Sequence, residues 1–164
     1  MTHDDPIAFF ITVATYGTWL PGDQRGWVEY QRGWKLPDPI REMEARAKMT
    51  EDACILTPEQ RLIVEQQLQE TCDHRSWILQ AKNCRSNHLH VLIGADETQP
   101  KKVRADIKAW CTRRLKEHSN PNRNNWWADR GSIRWVFDDE GLDTVSSYIN
   151  DTQGRKYLEQ HQSR

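Results

Sequence analysis

Apolar and polar residues follow two kinds of spacing along the chain, and these predict four strands and three main helices. Short runs rich in β-branched and aromatic residues are typical of strands. They cover residues 7–15, 77–81, 87–94 and 132–137. Longer segments with apolar residues at near-helical spacing predict helices. They cover residues 57–73, 98–118 and 138–150, and a shorter helix is predicted over 39–49.

The order of these elements predicts the fold class. Strand, helix, strand, strand, helix, strand, helix is the order of a ferredoxin-like split βαβ sandwich with an added C-terminal helix. We therefore expect an α+β fold with a four-stranded antiparallel sheet, formed by a single domain over residues 1–164. Within that domain, residues 16–57 are predicted to be a long loop insertion around the short helix, and residues 158–164 a tail.

The two longest helices have sequence signals for their ends and their buried faces. Thr57 at the cap, Pro58 at the first helical position and Gln60 three residues after the cap predict a capping box. This helix is expected to turn Leu62, Ile63, Gln66 and Leu68 toward the core. The next long helix is expected to bury Val103, Ile107, Trp110 and Leu115.

The predicted loop places tryptophans beside cations, and Trp19, Arg25 and Trp27 form the clearest group. Flat aromatic faces beside positive charge suit stacking on exposed bases. The alternative is that these rings cover a small satellite core, and the pattern favours neither interpretation. Loops of this length inside a domain are usually functional or disordered.

Composition excludes a membrane protein and a disulfide scaffold. Hydrophobic residues make up 37% of the chain and charged residues 29%, and the mean hydropathy is -0.89. The N-terminal apolar run is too short to span a bilayer and follows acidic residues, so neither a signal peptide nor an anchor is expected and the predicted location is cytoplasmic. The four cysteines show no CxxC pair, which favours buried reduced thiols.

The charge balance argues against nucleic-acid binding unless the charges are segregated. The formal net charge is only -1. Cations nevertheless gather on the helix predicted over 98–118, where they include Lys101, Lys102, Arg104 and Lys108. Such a local basic face can follow a nucleic-acid backbone even when the average charge is slightly negative. A solvated helix surface is the alternative, and it has equal weight.

A pair of histidines stands on the strand predicted over residues 87–94. Because successive side chains of a strand alternate between its faces, His88 and His90 project side by side on one face. Two imidazoles roughly 7 Å apart along a rigid strand are well placed to hold one metal ion. The alternative is a pair of surface or hydrogen-bonded core histidines, which the pattern alone does not exclude.

Three stretches together resemble the HUH single-strand endonucleases, and among these the single-tyrosine transposases of the insertion-sequence-200 type. Residues 87–92 (NHLHVL) are similar to the metal motif of this family. Residues 147–154 (SYINDTQG) are similar to its tyrosine helix. Residues 15–23 (TYGTWLPGD), with 25–27, look like an N-terminal signature of one branch, and the resemblance extends to the REP-associated tyrosine transposases.

The resemblance implies cutting and rejoining of single-stranded DNA through a 5'-phosphotyrosine intermediate. Tyr148 would be the nucleophile, and the histidine pair would bind Mg2+ or Mn2+. Mg2+ prefers oxygen ligands, whereas Mn2+ tolerates a mixed set better. Relatives often have Gln or Asn four residues after the tyrosine, but here Thr152 occupies that position. Gln153 is therefore predicted as the third metal ligand, with Asp151 and Asn150 as alternatives.

The same resemblance implies a partner and a location. The expected partner is single-stranded DNA that forms hairpins, in a cytoplasmic, nucleoid-associated protein with no membrane contact. A homodimer and a monomer both remain open. The rival hypothesis is a domesticated DNA- or RNA-binding module of the same fold that does not cleave.

Overall fold

The computed structural model describes residues 5–150. Its strands are β1 (Ala8–Ala14), β2 (Trp27–Glu29), β3 (Gly33–Lys35), β4 (Ile78–Cys84), β5 (His88–Gly94) and β6 (Ser132–Val136). Its helices are α1 (Pro39–Ala47), α2 (Pro58–Arg75), α3 (Pro100–His118) and α4 (Asp139–Asn150). None of the helices in this range is long and apolar enough to cross a bilayer.

The four longer strands form one antiparallel sheet in the order β4-β5-β1-β6. This order, with two helices on one face, is the predicted ferredoxin-like α+β arrangement, and the prediction of the fold is confirmed. The register of the strands aligns side chains in rows across the sheet. One row contains Asn83, His90, Thr12 and Ser132, in that order from β4 to β6. The next row contains Ala81, Leu92, Phe10 and Arg134.

Helices α2 and α3 cover one face of the sheet and form the main core with it. The predicted capping box of α2 is present, with Thr57 and Gln60 bonded reciprocally. The core on this face includes Leu89, Val91 and Ile93 of β5 together with Val64 and Leu68 of α2 and Val103, Ile107, Cys111 and Leu115 of α3. The four cysteines are free and buried, as predicted.

Three residues predicted to face this core, Leu62, Gln66 and Trp110, are exposed instead. Leu62 is 60% exposed, and Trp110 is 38% exposed. On α3 the buried residues lie four apart, at 103, 107, 111 and 115, and Trp110 falls beside that row, where Arg113 covers its ring. A large apolar side chain next to a buried row was mistaken for a member of it.

The opposite face of the sheet has α4 as its one helix among residues 5–150. Its smaller apolar cluster consists of Ala8, Phe10, Ala81, Leu92, Val136 and Ile149. No helix within residues 5–150 covers the part of this face nearest His88 and Ser132, which forms the floor of an open cleft. The strand predicted over residues 77–81 extends further than expected, because Asn83 is still on β4 and is buried there.

The predicted loop over residues 16–57 contains more regular structure than expected. Besides α1 it holds a small antiparallel hairpin, in which β2 pairs with β3. Gly26 enters this hairpin with a φ of +87°, and a side chain there would overlap the Trp34 ring. These strands have only three residues each, which is too short for an alternating pattern to be recognised.

Candidate active site

An open cavity of about 540 Å3 lies between the uncovered part of the sheet and α4. The side chains around it come from β1, β5, β6, α4, the segment after β1 and the turn before β5. They are Phe10, Thr12, Ala14, Thr18, Trp19, Asn87, His88, His90, Ser132, Arg134, Thr144, Val145 and Tyr148. The cavity therefore brings together residues from both ends of the chain.

The two histidines of β5 lie side by side in the floor of this cavity. The centroids of their rings are 4.5 Å apart, and the exposed fractions of His88 and His90 are 6% and 8%. The prediction that both rings project from one face of the strand is confirmed. Their neighbours on β5, Leu89 and Val91, point into the main core on the other face.

Each imidazole is oriented through its Nδ1 atom. Thr12 Oγ1 lies 2.8 Å from His90 Nδ1, and Asn87 Oδ1 lies 2.7 Å from His88 Nδ1. Because an amide oxygen only accepts, His88 Nδ1 carries the proton and donates it to Asn87, which leaves His88 Nε2 with a free lone pair. His90 Nε2 is buried and has no hydrogen-bond partner among residues 5–150.

Such an unpartnered, buried ring nitrogen is the feature expected of a metal ligand whose other nitrogen is held by a hydrogen bond. Burial lowers the pKa of His88 to about 3, with smaller contributions from His90 and Arg85. Burial, followed by Arg85, lowers the pKa of His90 to about 4. Both rings are therefore neutral near pH 7, as metal coordination requires.

The donor set fits a metal that is completed by oxygen ligands. Within the described range, no group of three or more His, Cys, Asp or Glu side chains could hold a metal. Two imidazoles leave several coordination positions for water and phosphate oxygens, a mixture that suits Mn2+ better than Mg2+. Gln153 and Asp151 lie outside the described residues, and Asn150 is an exposed residue at the end of α4.

Tyr148 stands on α4 at the edge of the same cavity. Ile149, the next residue, is buried against the sheet, so α4 presents Tyr148 beside the histidines with 46% of its surface exposed. The centroid of its ring is 5.8 Å from that of His90 and 6.2 Å from that of Phe10, which stacks on His90. Asn83 holds the last turn of α4 through a 3.4 Å hydrogen bond to the Ile149 carbonyl.

The structure places Trp19 at the cavity and Arg25 behind it. The Arg25 guanidinium lies 4.1 Å from the centroid of the Trp19 ring. It also donates hydrogen bonds to Asp23 and to the Thr18 carbonyl, so Arg25 supports the tryptophan from within the loop. The Trp19 Nε1 donates to the Gly26 carbonyl at 2.8 Å, which further fixes the ring.

The other predicted DNA-binding residues lie away from the cavity. Trp27 is 8% exposed and donates a hydrogen bond from its ring to the Leu36 carbonyl. Helix α3, with Lys101 and Lys102 exposed on it, packs on the opposite face of the sheet. Two other cations of α3 reach the segment before β6, where Arg104 binds the Gly131 carbonyl and Lys108 the Ala128 carbonyl.

Thr12, Asn87 and Arg134 are among the cavity residues to which the sequence analysis gave no role. Thr12 is a polar residue inside the apolar run of β1, and Asn87 immediately precedes the first histidine. Arg134 is a cation inside a predicted strand. Each was a signal, since a polar residue in an apolar strand needs a partner or a function. What each one faces depends on the register of the sheet.

Comparison with known proteins gives the family. A model described as "Transposase IS200 like" matches residues 47–152, which is more than half of the chain and includes both histidines and Tyr148. The chain belongs to this family. Among the curated proteins there is no match.

Two solved structures share the fold of this IS200-like transposase. The structure of a REP-associated tyrosine transposase bound to a REP hairpin has a TM-score of 0.53 and 12% identity. That match covers 87% of this chain and 63% of the other, so our chain spans less than two thirds of that protein. The crystal structure of a candidate transposase from Deinococcus radiodurans R1 has a TM-score of 0.52 and 13% identity, and covers 92% of this chain and 94% of the other.

Proposed function

We propose that this IS200-like transposase is a metal-dependent single-strand DNA endonuclease that cuts and rejoins DNA through a 5'-phosphotyrosine intermediate. One observation carries the proposal: two neutral imidazoles and one half-exposed phenol meet in an open cavity, with 5.8 Å between the rings of His90 and Tyr148. Elements far apart in the sequence bring these groups together.

The reaction needs a nucleophile, a held phosphate and a leaving oxygen. The Tyr148 hydroxyl oxygen would attack the phosphorus and lose its proton to solvent, to which the side chain is exposed. The bond between phosphorus and the 3' oxygen would break, and that oxygen would take up a proton to become a 3'-hydroxyl. The energy of the phosphodiester stays in the phosphotyrosine bond, so rejoining needs no ATP.

The cation would be bound by His88 and His90, with Gln153 proposed as a further ligand. When bound, a divalent ion of this kind polarises the phosphate and stabilises the charge that develops during displacement. The chain itself orients the two imidazoles through Thr12 and Asn87. We propose Mn2+ or Mg2+ as the ion.

The substrate we propose is single-stranded DNA that folds into hairpins. The fold relative that is bound to a REP hairpin supports this choice. Trp19 lines the cavity, and Arg25 packs against one face of its ring. A ring held in this way suits stacking on an unpaired base. Arg25, Trp27, Lys101, Lys102, Arg104 and Lys108 remain proposed contacts to DNA outside the cavity.

The test is formation of a covalent adduct. Hairpin-bearing single-stranded DNA with randomised flanks is incubated with the protein and Mn2+, and the products are separated under denaturing conditions. We expect a protein-linked DNA band that disappears in Tyr148→Phe and in His90→Ala. The matched control is Tyr30→Phe, because Tyr30 is similarly exposed but lies under Arg130, outside the residues that line the cavity.

Two outcomes would count against the proposal. An adduct that persists in Tyr148→Phe would exclude this residue as the nucleophile. DNA binding without cleavage, across the whole pool and with either metal, would favour the domesticated binding module.

A further inference from the structure

The charge of the cavity is carried by one residue. Among the described side chains that line it, Arg134 is the one Arg, Lys, Asp or Glu residue. The ligand we propose for this cavity is a polyanion. Arg134 is therefore the lining side chain that can pair with an anionic group of the ligand.

Arg134 is also available for a ligand. Its side chain makes no hydrogen bond or ion pair with another side chain or backbone group among residues 5–150, and it is exposed. Arg25, which contacts the Trp19 ring at the cavity, is by contrast engaged with Asp23. Arg134 thus lines the cavity with a guanidinium that has no partner in the part of the chain that the structure describes.

The register of the sheet fixes the position of Arg134 relative to the site. Arg134 stands on the edge strand β6 directly opposite Phe10 of β1. The Phe10 ring stacks on His90 at 5.5 Å and lies edge-on to Tyr148 at 6.2 Å. Phe10 therefore neighbours Arg134 on the adjacent strand, and its ring also contacts the rings of His90 and Tyr148.

We propose that Arg134 binds the non-bridging oxygens of the scissile phosphate and positions it for attack by Tyr148. This inference rests on the function proposed above, and it adds a binding residue to it. The planar fork of a guanidinium matches two phosphate oxygens, which fixes the orientation of the phosphate as well as its position. An exposed charge that only prevents pairing at the sheet edge is the structural alternative.

The experiment compares Arg134→Gln and Arg134→Lys with the wild type. The control is Arg113→Gln, because Arg113 is an exposed arginine of α3, on the other face of the sheet. The rate of adduct formation is measured with a sequence that is cleaved from the randomised hairpin pool, at limiting and at saturating DNA. Affinity is measured by fluorescence anisotropy with the same DNA in a Tyr148→Phe background, where nothing is cut.

We expect Arg134→Gln to lower the rate at saturating DNA by roughly 100-fold or more, as removal of one preorganised donor to developing charge does in other enzymes. Arg134→Lys should recover only part of this rate, since it restores the charge but not the fork. Arg113→Gln should match the wild type. The urea midpoint of Arg134→Gln should also be unchanged.

A second experiment, with an uncharged phosphate analogue, tests the contact between Arg134 and the phosphate directly. Methylphosphonate is placed at one phosphate at a time, and affinity is measured for the wild-type side chain and for Arg134→Gln. At the scissile position, methylphosphonate should lower the affinity of the protein with Arg134. It should leave the affinity of Arg134→Gln unchanged. Equal losses in both proteins at every position would overturn the inference.

The two proposals fail in different ways. A rate for Arg134→Gln within twofold of the wild type overturns the role of Arg134 and leaves the nuclease intact. If the wild type forms no adduct, the nuclease fails. In that case anisotropy with labelled oligothymidylate decides on Arg134: equal affinities of wild type and Arg134→Gln would exclude it as a phosphate ligand.

Discussion

The two faces of the same sheet are built for different tasks. On one face α2 and α3 bury a large apolar cluster, and β5 contributes Leu89, Val91 and Ile93 to it. On the other face α4 covers a small cluster, and β5 contributes His88, His90 and Leu92. Because side chains alternate along a strand, one strand of seven residues supplies the core on one side and the candidate site on the other.

Buried side chains have different roles on the two faces of the sheet. His88 and His90 are almost as buried as the leucines beside them, yet their Nδ1 atoms are held by polar partners and His90 Nε2 has none among the described residues. An unpartnered buried nitrogen costs stability, so its presence beside an open cavity indicates a function other than packing. We expect substitutions on the covered face to affect folding and those on the cavity face to affect chemistry.

The largest effect should come from neighbouring positions of β5. Leu89→Ala should lower the free energy of unfolding by about 2–5 kcal/mol, because it leaves a void in the main core. His90→Ala should lower it less, since that ring borders a cavity, but it should abolish the adduct. Urea unfolding and the adduct assay check both. The comparison of the two faces is wrong if His90→Ala destabilises the protein as much as Leu89→Ala does.

A pair of tryptophans tests which face meets DNA. Trp19→Ala should weaken single-strand binding by about 1–3 kcal/mol, the usual contribution of one stacked base. Trp110→Ala is the matched control, because Trp110 on α3 is 38% exposed and Trp19 is 37% exposed. Anisotropy with labelled single strands measures both. A larger loss for Trp110→Ala would move the DNA path to the helices and favour the predicted role of Lys101 and Lys102.

The orientation of the second histidine depends on Thr12. Thr12→Val removes the hydroxyl that meets His90 Nδ1 and keeps the shape, so Mn2+ affinity should fall by about 10- to 100-fold. Thr144→Val is the control: Thr144 also lines the cavity, but its hydroxyl binds the Glu140 carbonyl. Calorimetric titration with Mn2+ compares them. Equal affinities for the two variants would remove Thr12 from the site.

The smallest effect concerns acid stability on the covered side. Hydrogen bonds from the Asn124 backbone and from Asn125 hold the pKa of Glu51 below its ordinary value of 4.5, although partial desolvation opposes them. A lowered pKa in the folded state means that this stabilisation is present above pH 4.5 and is lost as the pH falls below it.

Glu51→Gln should therefore have a lower urea midpoint than the wild type near pH 7, and the two midpoints should converge on acidification. Adduct formation at neutral pH should not depend on Glu51, since it does not line the cavity. A difference in midpoint that stays constant with pH would contradict the assignment.

Local patterns were enough to predict the sheet and the histidine pair. The alternation around His88 and His90 and the spacing of apolar residues in α2 and α3 are properties of neighbouring residues, and the structure retains them. The resemblance added Tyr148, which the structure brings to the same cavity. The hairpin of β2 and β3 was missed because three residues carry no recognisable period.

The sequence could not show which of several residues of the same type lie at the cavity. Trp19 and Trp27 both stand beside cations, yet one lines the cavity and the other is buried with its ring bonded to Leu36. The cations of α3 formed the most conspicuous basic group, but the single arginine of β6 is the one that faces the histidines' cavity.

The amino-acid sequence by itself determined the elements of this transposase, the face on which its histidines project and the family to which it belongs. Only the tertiary structure decided which side chains meet. Thr12 and His90 are 78 positions apart, and their contact exists because β1 and β5 pair in one particular register. Periodicity is a local property of the chain, whereas register and packing depend on the whole sheet, and the site is made of both.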